Sequence, residues 1–195
     1  LTVLGGDHCS AVPVLAAQAR RHPDLAVLWF DAHPDLNDFS RGSRWSCGCA
    51  LTRALECAGL EPSAAILAGC RDFDLDELDF VGRHGLLMLQ IGRVAADPRA
   101  AGEAIADAVG SRPLHISFDI DVLDPAFAPG TEIASAGGLS TRQALELLGT
   151  VAARCRLVGL DVEEVSPPLD HADITSLAAL KIVFEFWGMA WKPPT

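Results

Sequence analysis

Leu25-Ala26-Val27-Leu28-Trp29-Phe30 is a continuous apolar run, and Asp31-Ala32-His33-Pro34-Asp35 follows it without a break. An apolar run with no polar alternation predicts a strand buried on both faces, as in a parallel sheet covered by helices. In such sheets ligands bind beyond the carboxyl ends of the strands. Here that end carries two aspartates and a histidine. In an extended continuation residues i, i+2 and i+4 share a side, so Asp31, His33 and Asp35 are expected to converge.

The same alternation extends in both directions. Thr2–Leu4, Ala64–Ala68, Leu86–Gln90, Leu114–Phe118 and Leu157–Leu160 are predicted strands. Ser10–Arg20, Gly48–Ala58, Pro98–Val109, Thr141–Arg154 and Ile174–Trp187 are predicted helices, with Ser140 and Gln143 as a capping box for the fourth. Strands separated by helices indicate βαβ units. The expected fold is a three-layer α/β/α domain with a mainly parallel sheet, spanning 1–195 as one unit. Pro193-Pro194 predicts a frayed end, and Trp187 and Trp191 belong to the terminal helix and its exit. Leu1 is not Met, and Leu1–Leu4 reads as a strand already under way, so an N-terminal portion is expected to be missing.

Composition narrows the class. The chain has 195 residues, 50% hydrophobic and 21% charged, with a formal net charge of −11. That balance fits a globular domain and argues against a nucleic-acid binder, which needs a basic face. No apolar run approaches the ~20 residues of a membrane span, and no signal-peptide pattern is present. The six cysteines are scattered in a chain large enough to do without staples, so free thiols in a reducing cytoplasm are expected.

Five of the six strand ends deliver acids or histidine. Gly5-Gly6-Asp7-His8 follows the first and Arg71-Asp72-Phe73-Asp74 lies after the third. Asp119-Ile120-Asp121 follows the Leu114–Phe118 run, and Asp161-Val162-Glu163-Glu164 follows Leu157–Leu160. Asp119 and Asp121 are expected to converge as Asp31, His33 and Asp35 do. Four carboxylates in one pocket repel one another and resist desolvation, and multivalent cations are the natural compensation. Four carboxylates and two imidazoles suit two ions that share bridging oxygens. Hard oxygen with some imidazole favours Mn²⁺ over structural Zn²⁺. Each block has a plainer alternative taken singly: a strand-to-helix turn for the first, a solvated strand end or a cap for Asp119 and Asp121.

These blocks resemble the arginase and agmatinase family of ureohydrolases. The carriers are Gly5-Gly6-Asp7-His8, Asp31-Ala32-His33-Pro34-Asp35, Ser117-Phe118-Asp119-Ile120-Asp121-Val122-Leu123-Asp124-Pro125, Gly137-Gly138-Leu139 and Gly159-Leu160-Asp161-Val162-Glu163-Glu164-Val165-Ser166-Pro167, in the family's order. The resemblance implies one manganese ion held by His8, Asp31, Asp35 and Asp119, and a second held by Asp31, His33, Asp119 and Asp121. Asp31 and Asp119 would bridge. A metal-bridging hydroxide would attack a guanidino carbon and release urea. Glu164 matches the residue that pairs with the guanidinium, and Glu163 is expected to be a surface acid. Glu164 and Asp121 are the candidate catalytic residues. Asp74 resembles a contact to a substrate α-amino group, and Asn37 and Ser43 resemble contacts to its α-carboxylate. L-arginine or a close relative is therefore favoured over agmatine. Relatives form trimers or hexamers, which implies a homo-oligomer.

Three stretches depart from the family. Cys47-Gly48 stands where relatives carry His-Gly, whose histidine shuttles protons. A thiol is the weaker acid, with a free pKa of ~8.5 against ~6.5 for imidazole. Glu132 and Ile133 alter a pocket loop, and Arg41, Arg44 and Trp45 are unusual and suit an acidic substrate tail. His115 reads as a satisfied core or edge histidine; His22, His84 and His171 read as loop residues. Asp7 is expected to support its turn, and Asp124 with Pro125 to fix the loop below the metals. The rival readings are an agmatinase, guanidino-acid or formimino hydrolase of the same family, and a non-catalytic metal-binding relative. A single-zinc deacetylase of related fold is disfavoured by the complete second ligand set.

Overall fold

The structure, a computed structural model, describes residues 1–190. Trp191 and Pro193-Pro194 lie outside the described residues. Six strands form one sheet: β1 (Thr2–Leu4), β2 (Ala26–Phe30), β3 (Ala65–Ala68), β4 (Leu87–Leu89), β5 (Pro113–Asp119) and β6 (Arg156–Glu163). Their order is β1-β6-β5-β2-β3-β4, and every pairing is parallel. β2 and β5 are wholly buried, as continuous apolar runs require.

Among the described residues seven helices cover the sheet: α1 (Ala11–Arg21), α2 (Ala50–Ala58), α3 (Leu75–His84), α4 (Ile91–Ala96), α5 (Pro98–Val109), α6 (Thr141–Arg154) and α7 (Ile174–Ala190). Two cores lie on opposite faces. One packs Leu15, Trp29, Leu51 and Leu67 under α1 and α2. The other packs Phe30, Ile105, Phe118, Leu147 and Ile182 under α5, α6 and α7. Each such fully buried side chain contributes about 1.5–3 kcal/mol. The Ser140–Gln143 capping box of α6, present as expected, adds about 1 kcal/mol. Packing therefore holds α6 in place, and the cap sets where it begins. Among the described residues no helix is long and apolar enough to cross a membrane.

The α5 and α6 bounds are those the sequence predicts. Two helices were not anticipated. α3 occupies the acidic stretch after Asp74, and its last residue is His84, expected in a loop. α4 is a single short segment before Pro98. At six residues α4 is too short for apolar periodicity to register, while the acids of the first turn of α3, Asp76 and Glu77, give it the look of a solvated loop.

The chain order places the site. After β2 the chain adds β3 and β4 on one side, then returns to lay β5 on the other side of β2. The carboxyl ends of β2 and β5 thus flank the topological switch point, where open α/β sheets form their ligand crevice. Those two ends carry Asp31, His33, Asp35, Asp119 and Asp121.

Candidate metal centre

The acids and histidines converge, though not by extended alternation. β2 stops at Phe30, and the residues after it form a turn in which Asp35 adopts a left-handed backbone, φ +52. Asp119 ends β5, while Asp121 lies in a 3-10 turn that the Asp119 carboxylate caps through one bond, Asp121 N–H to Asp119 Oδ1 at 2.8 Å. His8 enters from its own 3-10 turn after β1, capped by Asp7 through the Cys9 N–H at 2.8 Å. Gly5 is required just before it, because a Cβ there would lie 1.6 Å from Glu163 Oε2.

His8 Nδ1 lies 2.9 Å from Asp119, 3.1 Å from Asp31 and 3.4 Å from Asp35. His33 Nδ1 lies 3.0 Å from Asp121 and 3.5 Å from Asp31. Two triads result, His8–Asp31–Asp119 and Asp31–His33–Asp121, with Asp31 common to both. All but His33 are buried. His8 Nδ1 and Asp31 Oδ2 are buried without a hydrogen-bond partner. An orphaned imidazole nitrogen facing an orphaned carboxylate oxygen is a costly pair unless a cation lies between them.

The electrostatics give the same answer. Burial, then the charges of Asp121 and Asp31, push Asp119 well above the carboxylate range; burial and Asp31 do the same to Asp35 and raise Asp121. Burial would also raise Asp31, but the imidazoles of His33 and His8 beside it hold it well below that range. Burial would lower His33, yet Asp121 and Asp31 push it up to about 11. Left to itself the cluster gathers protons to offset its negative charge. Divalent cations answer the same demand, and oxygen with imidazole donors fits a hard ion such as Mn²⁺.

Behind His8 stands a hydrogen-bonded chain in which His115 is the satisfied core histidine that the sequence predicts, and its link to His8 through Asp161 and Ser117 is new. Ser117 Oγ donates to Asp161 Oδ1 at 2.5 Å, and His115 Nε2 meets Asp161 Oδ2 at 2.5 Å. His115 Nδ1 in turn faces Gln18 at 3.4 Å. Ser117 has one proton and gives it to Asp161, so its 3.0 Å contact with His8 Nε2 is one in which the imidazole donates. In the neutral ring the Nδ1 lone pair is then turned toward Asp31 and Asp119. Trp29 stacks on the same ring, centroids 3.9 Å apart and planes within 7°. The missed signal is polar His115 and Ser117 at alternate positions between apolar Leu114, Ile116 and Phe118.

Glu163 is corrected: it is not a surface acid but fully buried, accepting from Ser10 Oγ at 2.6 Å. Burial and the Asp161 charge push it up to about 8. β6 ends at Glu163, and Glu164, at φ +61, turns out of the strand toward the crevice. One Glu164 oxygen accepts the His8 N–H at 2.9 Å.

The crevice opens into a cavity of about 400 Å³ bordered by His33, Asp35, Asp119, Asp121 and Glu164. Asn37 and Asp74 line it together, Asn37 Nδ2 donating to Asp74 Oδ2 at 3.4 Å. Ser43 does not line it; its hydroxyl accepts the Trp45 N–H at 2.9 Å, while Ser40 and Arg41 of the same hairpin reach the cavity. Arg44 is taken up by Asp38 at 2.8 Å. Ile133 forms part of the wall. Cys47 also lines it, and burial, then Asp35 and Glu164, push its thiol up to about 11. Below the cluster, Arg71 donates to the Asp121 and Ser135 carbonyls at 2.6 and 2.7 Å. Asp124 accepts the Gly137 and Gly138 N–H groups at 2.8 and 3.1 Å, closing the loop as expected. A Cβ on Gly138 would lie 2.5 Å from Asp124 N, and Gly137 has a left-handed backbone at φ +82, so each glycine of the pair has its own reason.

An all-parallel sheet with two acid–histidine triads sharing a carboxylate at its switch point defines an α/β protein built around a candidate two-cation centre. The chain belongs to the arginase family, whose profile, described as Arginase family, matches residues 1–188. It is 39% identical over 185 residues to proclavaminate amidinohydrolase of Streptomyces clavuligerus, covering 92% of this chain and 58% of that protein. It is 38% identical over 183 residues to agmatinase of Neisseria gonorrhoeae (strain NCCP11945), covering 93% and 57%. A solved structure of the Streptomyces clavuligerus proclavaminate amidino hydrolase matches with a TM-score of 0.88 at 37% identity, covering 97% of this chain and 63% of that one. The chain thus spans under two thirds of the length of these relatives.

Proposed function

We propose that residues 1–195 form one catalytic domain that hydrolyses a guanidino group to urea and an amine, with two divalent cations, manganese by donor preference. The observation that carries this is the pair of triads sharing Asp31, with His8 Nδ1 and Asp31 Oδ2 orphaned, opening on a cavity walled by Glu164. His8, Asp31, Asp35 and Asp119 would hold one ion, and Asp31, His33, Asp119 and Asp121 the other. When bound, such ions supply Lewis acidity that makes water nucleophilic near neutral pH.

The protein's own groups set the rest. One Glu164 oxygen is anchored by the His8 N–H, so the other is left to take guanidinium N–H groups, a geometry suited to a planar cation. Asp121, held by the Ala32 N–H at 3.2 Å and bordering the cavity, would take the proton that the attacking water loses. At the other end, Asp74 would hold an α-amino group and Asn37 beside it a carboxylate, a reading that favours L-arginine or a close relative and is supported by their shared place on the cavity wall. Cys47 stays a neutral thiol at physiological pH and is a slower proton donor than an imidazolium, so turnover below that of a His-bearing site is expected.

The test is urea release by manganese-loaded protein on L-arginine, N-hydroxy-L-arginine, agmatine and 4-guanidinobutyrate, with bound metal counted per chain. Urea with two metals per chain supports the reading. Two metals with no urea from any of the four turns it into a formimino hydrolase or a non-catalytic metal-binding relative. A single bound zinc overturns it.

A further inference from the structure

We propose that Arg41 is a recognition site for a carboxylate at the far end of the substrate, so that the cavity selects guanidino compounds with an anionic tail over those with an amine tail. The proposal rests on the guanidino reading above and deepens it. Ser40-Arg41-Gly42-Ser43 is a two-residue hairpin closed by Ser40 N–H to Ser43 O and Ser43 N–H to Ser40 O, both 3.0 Å. Its central residues both have positive φ, +50 at Arg41 and +80 at Gly42. That is the pattern of the primed hairpin turns, which favour Asn, Asp or Gly at both places. An arginine held there is backbone strain at a position whose side chain borders the cavity, and strain of this kind collects at ligand clamps.

The neighbouring arginines are spoken for and Arg41 is not. Arg44 and Arg53 both bind Asp38, at 2.8 and 2.7 Å, and Arg53 also pairs with Glu56 at 3.1 Å. This cluster fixes the base of the hairpin. Arg41 forms no ion pair among the described residues, although the cavity it borders is rich in carboxylates. It also borders a second cavity of about 320 Å³ that shares Cys47, Ile133 and Glu164 with the first. Arg41 is the only lysine or arginine on either lining, among the described residues. The deep end is therefore built for positive charge, and the rim carries one uncommitted guanidinium.

A substrate with its guanidinium on Glu164 presents its other end to the rim. A carboxylate there accepts a bidentate pair from Arg41, and an ammonium there is repelled. L-arginine satisfies Arg41 with its carboxylate and Asp74 with its amine. A 4-guanidino acid satisfies Arg41 alone, and agmatine satisfies only Asp74. Discrimination at an exposed ion pair is modest, about 3- to 10-fold in KM.

The experiment measures kcat and KM for L-arginine, 4-guanidinobutyrate and agmatine on the manganese-loaded protein, with calorimetric binding of the same three compounds as a readout independent of turnover. Arg41→Asn removes the charge yet suits the left-handed turn. It should raise KM and Kd for both carboxylates, lower them for agmatine and raise Tm. Arg41→Lys should keep part of the preference, and Arg41→Glu should reverse it toward agmatine. The proposal is overturned if Arg41→Asn weakens all three ligands alike or lowers Tm, if the unaltered protein binds agmatine as tightly as the carboxylates, or if none of the three binds. Selective binding of carboxylates without any urea would sink the hydrolytic reading and leave this one standing. Urea without discrimination would do the reverse.

Discussion

Asp161 on β6 and Asp31 immediately after β2, the two strands that flank β5, are both fully buried aspartates, yet their surroundings differ in kind. Asp161 has a donor on each oxygen, Ser117 on one and His115 on the other. Asp31 Oδ1 takes the His33 N–H at 2.7 Å, but Oδ2 has no hydrogen-bond partner and faces an equally orphaned His8 Nδ1. Burial of an acid is thus no signature of a metal site. What separates a structural carboxylate from a candidate ligand is the count of donors around it. The two regions are also joined, because Ser117 passes the Asp161 anchor on to His8.

Removing a carboxylate from the orphaned side should have the largest effect. Asp119→Ala is expected to cut urea release on the order of 10³-fold and to lower the metals bound per chain, read by metal analysis. If the variant keeps two metals, Asp119 is not a ligand. Withdrawing the cations instead should destabilise the intact chain. A chelator should lower Tm by the stability that binding adds, about 2.7 kcal/mol at a free metal concentration 100-fold above Kd. The sign of its pH dependence follows from the raised carboxyls. Asp35, Asp119 and Asp121 bind protons in the fold more tightly than in the unfolded chain, so the chelated protein should lose stability as pH rises above the ordinary carboxylate range. A chelated protein that is steadiest at alkaline pH would contradict the electrostatic account.

On the anchored side the effects should be smaller. Ser117→Ala breaks the link between Asp161 and His8 while removing no ligand. Metal affinity should fall about 10- to 100-fold, with the metal count at saturation kept. An unchanged affinity would mean that Trp29 stacking alone orients the ring. The mildest change is Glu163→Gln. Glu163 is raised from 4.5 to about 8, so it stabilises the fold when protonated and that contribution is lost as pH rises from about 4.5 through about 8. The glutamine variant should flatten Tm against pH in this window, and an unaltered slope would assign the dependence elsewhere.

Much of the fold was legible because β2 and β5 are apolar throughout, a pattern that only two-sided burial explains. The candidate ligands were legible because acids and histidines sit where an apolar strand must end. Extended alternation does not by itself bring them together. Asp35 at φ +52 and the 3-10 turn at Asp121 do the aiming, and neither is visible in side-chain alternation. Glu163 and Glu164 show the limit best. Adjacent identical residues carry no signal for which faces inward, and a positive φ at Glu164 decides it.

The parallel α/β architecture, the family blocks and the acid–histidine inventory are all written in the chain, because each is a local pattern of burial and chemistry. Tertiary structure alone decided which of those groups lack partners, since a hydrogen-bond count needs neighbours from β2, β5 and β6 at once. It also decided that Arg41, and not Arg44, is free at the rim, because Asp38, in an acid-rich chain, chose its partners through folding.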